Sequence, residues 1–205
     1  MASSIMNHRV QIDDPPIAQL LFSDTRFSII WLIIRVYTGY EWLMAGIEKL
    51  GDPTWTGAKA GTGLAGFVAG ALAKTGGAHP AVAGWYGTFL QSVVMPNPAL
   101  WSWAVTLGET AVGIGLIVGC LTGIAAFFGG LMNANYLLAG TVSTNPLLFI
   151  FATWLVMGWR VAGYIGVDHW LLPALGVPGH PGEIFQKEEP QATKRSGSLT
   201  PQTPH

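Results

Sequence analysis

Four long apolar stretches dominate this sequence, and each is close to the length of about 20 residues that a helix needs to cross a bilayer. They lie at residues 27–46, 100–118, 121–139 and 146–164. Three of them also contain charged side chains, which are Arg35, Glu41, Glu109 and Arg160. A charge placed in hydrocarbon costs at least about 2.5–3.5 kcal/mol, so such residues normally face the interior of a bundle. The sequence therefore predicts an all-α integral membrane protein, a four-helix bundle with a polar interior.

The low content of charged residues separates this chain from soluble proteins. It has 205 residues, of which 50% are hydrophobic and 10% are charged, and its mean hydropathy is +0.42. Soluble domains contain about 25% charged residues. The net charge of −1 gives no electrostatic basis for binding nucleic acid. The one cysteine, Cys120, excludes a disulfide within the chain.

The ends of the chain differ in composition from its apolar middle. Residues 1–25 form a polar N-terminal segment, residues 26–175 the four-span domain, and residues 176–205 a tail rich in proline, serine and charged residues. The tail shows no apolar periodicity and is predicted to be disordered. The N-terminal segment lacks the basic start and apolar run of a cleaved signal peptide, so the first span is expected to act as its own insertion signal.

An even number of spans places both chain ends on the same side of the membrane. Lys and Arg residues are more numerous on that side than in the long connection after the first span. The positive-inside rule then favours cytoplasmic termini. The expected location is the cell membrane, crossed several times, with lipid as the immediate partner.

The long connection between the first two spans contains two segments with the apolar periodicity of a helix. Large apolar residues recur there at spacings of three and four, first from Leu64 to Leu72 and then from Val82 to Val94. Such one-sided patterns predict amphipathic helices. Interfacial helices of this kind lie on the membrane surface or cap the bundle.

The charged residues within the spans suggest a buried polar site. A rise of about 1.5 Å per residue places Arg35, Glu109 and Asn133 at similar depths in three different spans, which predicts that Arg35 pairs with Glu109. Glu41 lies six residues after Arg35, so the two do not share a helix face. A buried pair either forms a site for a ligand, a quinone head group or a proton path, or it locks the helix packing. The sequence leaves both interpretations open.

Asn133, Asn135 and Tyr136 form a polar patch in the third span. An amide can hydrogen-bond a carbonyl such as that of a quinone, but interhelical bonds worth about 0.6 kcal/mol each also hold spans together. No histidine lies within a span; the five are His8, His79, His169, His180 and His205. Neither haem nor a metal is therefore expected on this chain. Electron transfer would use a diffusible quinone or the cofactor of a partner.

Several short motifs add a family resemblance. They are residues 35–50, Gly108-Glu109 with Gly113, and residues 133–140. Together they resemble the DoxX/DoxD family, over roughly residues 27–173. A further set is similar to its DoxD-type branch: Asn145-Pro146, residues 159–168 and residues 170–173.

The resemblance implies a four-helix membrane protein, a DoxD-like subunit of thiosulfate:quinone oxidoreductase. Such an enzyme passes electrons from thiosulfate to quinone, yields tetrathionate and includes a second protein subunit. On this hypothesis Arg35 orients the quinone or stabilises its charge, Glu109 relays protons, and Glu41 flanks one end of the site. The residues expected to contact the quinone are Asn133, Asn135, Tyr136 and Arg160, the last at the other end of the site.

Two other functions are consistent with the sequence. A non-catalytic scaffold or assembly subunit of a larger complex would dock a partner through its outward helices and would hold no quinone. A carrier of protons or of a small solute would also use buried charges. Four spans without an evident internal repeat argue against a standard transporter.

Overall fold

A computed structural model describes residues 15–177, whose regular secondary structure is entirely helical, with no β-strand among them. Their α-helices are α1 (Pro16–Phe22), α2 (Ser28–Gly51), α3 (Thr62–Leu72), α4 (Gly84–Phe89), α5 (Pro98–Val118), α6 (Thr122–Leu138), α7 (Asn145–Met157), α8 (Trp159–Ala162) and α9 (Asp168–Ala174). A 3₁₀ turn at Thr25–Phe27 joins α1 to α2, and a π-helical segment at Leu90–Val94 extends α4. The prediction of an all-α chain is confirmed for the described part.

The four longest helices pack in a ring. α2 contacts α5 and α7, and α6 contacts the same two helices. The turn between α5 and α6 is short because Gly119 adopts a left-handed conformation with φ of +70°, which glycine tolerates without strain. The helices predicted in the first three apolar stretches are confirmed. α2 runs five residues beyond its predicted end at Gly46, to Gly51, and so includes Lys49.

The fourth predicted span is wrong as a continuous helix. α7 ends at Met157, and α8 begins only after Gly158. A Cβ atom on Gly158 would lie 2.9 Å from the indole ring of Trp31, so the chain bends where α2 approaches most closely. Arg160 follows this bend and is exposed, rather than lying within a long span.

Length and composition identify α5 as the one described helix able to cross a bilayer by itself. Residues 16–22 and 25–51 meet the same criteria only when taken together, with a bend of 52° between them. α6 has 17 residues and α7 has 13, which is shorter than the usual crossing of about 20.

Large apolar side chains cover the outer faces of the ring as well as filling its core. Those on the outside are exposed, such as Ile33 at 65% and Phe127 at 55%. The interior contains, beside its apolar core, Arg35, Glu109 and Asn133, each at most 1% exposed. Burial of polar groups with an apolar exterior suits a hydrocarbon solvent.

The connection between α2 and α5 forms a cap over one end of the ring. The amphipathic helices predicted there are confirmed as α3 and as α4 with its π-helical extension. Their apolar faces share a second core around Val68, Val82 and Tyr86, which also includes Ala139 at the end of α6. The cap therefore covers the end of the ring where α2 and α6 finish.

The predicted terminal segments are described only in part. α1 falls within the segment expected to be polar, and its Phe22 ring lies 5.6 Å from that of Trp31 on α2. The disordered tail predicted for residues 176–205 lies almost entirely outside the described residues.

Candidate functional site

The predicted pairing of Arg35 with Glu109 is wrong, because the antiparallel register of α2 and α5 separates them. Gly39 packs against Leu116, and Gly46 packs against Thr110. Arg35 therefore lies beside Gly119 at the far end of α5, ten residues or about 15 Å from Glu109. The interior contains two separate charged centres in place of one.

The first centre is formed by Glu109, Lys49 and Tyr136, which come from α5, α2 and α6. The Lys49 Nζ atom lies 3.0 Å from Glu109 Oε1, to which it donates a hydrogen bond, and 2.8 Å from Oε2. The Tyr136 hydroxyl donates to Oε1 of the same carboxylate at 2.5 Å. The buried Glu109 carboxylate thus binds the Lys49 ammonium group of α2 and the Tyr136 phenol of α6. We call these three residues the Glu109 centre.

Lys49 connects the Glu109 centre to the surface. Its side chain is 20% exposed, whereas that of Glu109 is 1% exposed. The ammonium group also lies 5.1 Å from the centre of the Trp55 ring, a cation–π contact in the loop after α2. On the opposite side, Phe67 of the cap meets the Tyr136 ring edge-on at 5.9 Å. The centre is therefore covered by the cap and reaches water by way of Lys49.

Trp42 and Asn133 lie one turn deeper and carry buried polar atoms that no described residue satisfies. These atoms are Trp42 Nε1 and both Nδ2 and Oδ1 of Asn133. Trp42 stacks on the Tyr136 ring, and its Nε1 atom is 3.1 Å from where a Cβ on Gly129 would lie. Gly129, Asn133 and Tyr136 share one face of α6 because they are four and three residues apart. Two donors and one acceptor are thus available beside the Glu109 centre.

The second centre is organised around Arg35, whose side chain joins α2 to the segment after α8. Its Nη1 atom donates to the carbonyl of Ala162 at 3.0 Å, and Nη2 donates to that of Ile165 at 2.7 Å. The guanidinium group also attracts the carboxylate of Asp168. A buried guanidinium requires such compensation because an isolated charge is costly in a low dielectric.

Asp168 ties this segment to the turn between α5 and α6. Its carboxylate accepts from the backbone nitrogens of Leu121 at 2.6 Å and Thr122 at 2.8 Å, and its own backbone nitrogen donates to the Gly119 carbonyl at 2.8 Å. An anion at the first residues of α6 also suits the positive end of that helix. Arg35 and Asp168, which we call the Arg35 lock, therefore hold together three parts of the chain.

An apolar layer separates the two centres. Leu116, Ala126 and Leu155 belong to the main hydrophobic core, and each is at most 1% exposed. The side chains of the Arg35 lock bond to backbone carbonyls and amides, and among their buried atoms Arg35 Nε alone has no partner. Trp42 and Asn133 together have three buried atoms without a partner, at least one of which is an acceptor. The Glu109 centre is therefore the better candidate for binding a ligand.

The other predicted site residues lie outside both centres. Asn135 Oδ1 accepts from the Tyr86 hydroxyl at 3.1 Å, and its Nδ2 donates to the Leu131 carbonyl at 2.8 Å, so its amide joins α6 to the cap. Arg160 is exposed with its guanidinium 5.3 Å from the Trp159 ring. Glu41 is half-buried on the side of α2 that faces α7. None of the three faces the Glu109 carboxylate.

Comparison with known proteins gives a match to a protein family. A family model for DoxX matches residues 30–140, just over half of the chain. The matched region contains the whole Glu109 centre together with Trp42, Asn133 and Arg35, but it ends before Asp168. The search of curated proteins and the search of solved structures each found no significant match. The chain therefore belongs to the DoxX family.

Proposed function

We propose that this DoxX protein is a multi-pass membrane protein in which α2, α5, α6 and α7 cross the bilayer and both termini are cytoplasmic. The apolar exterior of the ring and its buried charges support this proposal, since a soluble protein would place them the other way round. The ends of α2 and α6 at the cap, and the α5–α6 turn at the other end, are consistent with antiparallel crossings.

We further propose that the Glu109 centre binds a quinone as the electron acceptor of a membrane oxidoreductase. The observation that supports this is the set of unsatisfied atoms on Trp42 and Asn133. A buried polar group without a hydrogen-bond partner costs about 1–3 kcal/mol, so a pair of donors at this depth is expected to serve an acceptor. The carbonyl oxygens of a quinone match the Trp42 Nε1 and Asn133 Nδ2 donors in number and in chemistry.

The residues of the centre have distinct roles in this proposal. A quinone accepts two electrons and two protons when it is reduced to the quinol. Tyr136 and Glu109 hold a proton between the phenol oxygen and Oε1, next to the proposed carbonyl site. Lys49 donates to the same carboxylate and is partly exposed, so it can pass protons from water to Glu109.

The electron donor of the proposed reaction is thiosulfate, as the DoxD resemblance implies, handled with a second protein subunit. Two thiosulfate ions lose one electron each and join through a new S–S bond to form tetrathionate. The quinone takes both electrons, and two protons enter through Lys49 and Glu109. A scaffold subunit is the second candidate function, favoured by the Arg35 lock, in which a buried charge bonds to the backbone and so holds helices together.

Two asparagines on α6 provide a matched test of quinone binding. Asn133→Leu removes the unsatisfied amide, so we expect bound quinone to be lost while stability stays unchanged or rises. Asn135→Leu removes one of the two acceptors of the Tyr86 hydroxyl and keeps the other, the backbone carbonyl of residue 135 at 3.0 Å, so we expect at most a small loss of stability with quinone still bound. The measurement is solvent extraction of quinone from protein purified in mild detergent, together with thermal unfolding. Equal quinone content in wild type and Asn133→Leu would overturn the proposed site.

The role of Glu109 is tested by Glu109→Gln, which keeps the shape of the side chain and removes its charge. General acid–base groups contribute about 10²–10⁴-fold, so we expect thiosulfate-dependent quinone reduction in membranes to fall by at least about 100-fold. Glu48→Gln, an exposed residue on the same helix as Lys49, is the matched control and should keep full activity. If quinone is bound but both variants reduce it at the wild-type rate, Glu109 does not relay protons.

A further inference from the structure

The outer face of α2 carries a regular stripe of large exposed side chains. They follow one another at alternating spacings of three and four residues and are 38–65% exposed: Ile30, Ile33, Tyr37, Tyr40, Met44 and Ile47. This alternation is the a/d spacing by which two parallel helices pack knobs into holes. We call these six residues the α2 seam.

An apolar stripe of this kind is compatible with contact to lipid as well as to protein. The carboxyl group of a neighbouring residue distinguishes these two environments. Glu41 borders the α2 seam on the side toward α7, where Tyr37 of the seam meets the Phe151 ring at 6.0 Å, and it is half-buried near the middle of α2. The structure describes no hydrogen bond or ion pair from Glu41 to any residue between 15 and 177. A carboxyl group at this depth is costly to leave facing hydrocarbon and normally faces another protein surface.

The outer faces of the other three long helices lack such a group. Residues 98–157, which include α5, α6 and α7, contain no Asp, Glu, Lys or Arg apart from Glu109, and Glu109 points inward. Those faces are therefore suited to lipid alone. α2 is the helix of the ring whose outer surface combines apolar knobs with a hydrogen-bond acceptor and phenol donors.

We propose that the α2 seam is a parallel, twofold-symmetric interface with a second copy of this chain, an inference that rests on the proposed membrane crossing of α2. In a parallel pair, a knob at the position of Tyr40 enters a hole bordered by the following residue of the other helix, which is Glu41. The Tyr40 hydroxyl of each copy then donates to the Glu41 carboxylate of the other. The surface of each copy thus supplies both a donor, Tyr40, and an acceptor, Glu41, as a twofold interface requires.

Cysteine cross-linking in native membranes tests the position of the interface. In a Cys120→Ser background, Tyr40→Cys should form a disulfide-linked species of twice the chain mass after mild oxidation. Phe127→Cys on α6 is the matched control, because Phe127 and Tyr40 are equally exposed at 55%, and it should remain monomeric. Equal cross-linking at both positions, no cross-linking at Tyr40, or cross-linking of Tyr40 to another protein would each overturn the proposal.

The hydrogen bond between the two copies is tested by a double-mutant cycle. Interhelical bonds in membranes average about 0.6 kcal/mol, and symmetry removes two of them at once, so Tyr40→Phe should raise the dimer dissociation constant about eightfold. Glu41→Leu should have the same effect, and the double variant should add nothing further. If the two substitutions weaken dimerisation additively, or if Tyr40→Phe leaves the dissociation constant unchanged, the two side chains do not pair.

Extraction with alkaline carbonate separates the failure of the dimer from that of the membrane proposal. A protein that stays in the membrane pellet but does not cross-link at Tyr40 overturns the dimer alone. A protein released by carbonate overturns the membrane crossing and the dimer with it.

Discussion

Replacing Arg35 by methionine is expected to lower the free energy of unfolding by about 3–5 kcal/mol, the usual loss when one member of a buried charge pair is removed. The change leaves the Asp168 carboxylate without its counter-charge and frees the carbonyls of Ala162 and Ile165, to which Arg35 now donates. The loss should therefore appear as instability of the whole ring rather than as a specific loss of quinone binding.

Unfolding in mixed detergent and SDS, followed by tryptophan fluorescence, measures this effect. Arg160→Met is the matched control, because Arg160 is exposed, and it should change stability by less than about 0.5 kcal/mol. A stable Arg35→Met protein that has lost its quinone would instead assign Arg35 to the ligand site.

Alanine at Gly113 is expected to lower stability by about 1–3 kcal/mol or more, because the side chain would enter a space filled by the backbone of α2. The added Cβ would lie 2.5 Å from the Leu43 nitrogen and 2.6 Å from its Cα atom. Backbone atoms cannot move aside by rotation, so α2 and α5 must separate, and the Glu109 centre that bridges them must widen. Bound quinone should therefore fall together with stability.

Gly66→Ala on α3 provides the comparison for the same chemical change. A Cβ on Gly66 meets nothing within 4 Å, and alanine is a better helix former by about 1 kcal/mol, so this variant should be as stable as wild type or more so. Both variants are compared by thermal unfolding in the same detergent. Equal stability of the two would show that α2 and α5 are not held in close contact at Gly113.

The apolar pattern predicts α2 to α6 from the sequence, but it predicts neither the break after α7 nor the alignment of the helices. The positions of α2, α5 and α6 agree closely with the predicted spans, because each apolar stretch is about as long as a membrane crossing. Their register depends on close contacts at Gly39, Gly46 and Gly113, and a glycine in a sequence indicates close approach without naming the residue it meets. Equal depth by residue count therefore does not identify the partner of Arg35, which lies near Asp168 and not Glu109.

Two residues of the centres were missed for reasons that are also physical. Lys49 lies beyond the predicted first span, and the glycine and proline that follow it are typical helix terminators. α2 nevertheless continues to Gly51, and the long Lys49 side chain turns inward to Glu109. Asp168 follows the bend at Gly158, and a sequence pattern gives no indication that the chain folds back to the α5–α6 turn there.

The Arg35 lock also sets an order for biosynthesis. The carbonyls and the carboxylate that compensate Arg35 belong to residues 162–168, more than 120 residues later in the chain. On the proposed membrane crossing, α2 would enter the bilayer with its guanidinium uncompensated until that part of the chain has been translated. We therefore expect the ring to close only after residues 162–168 have been made.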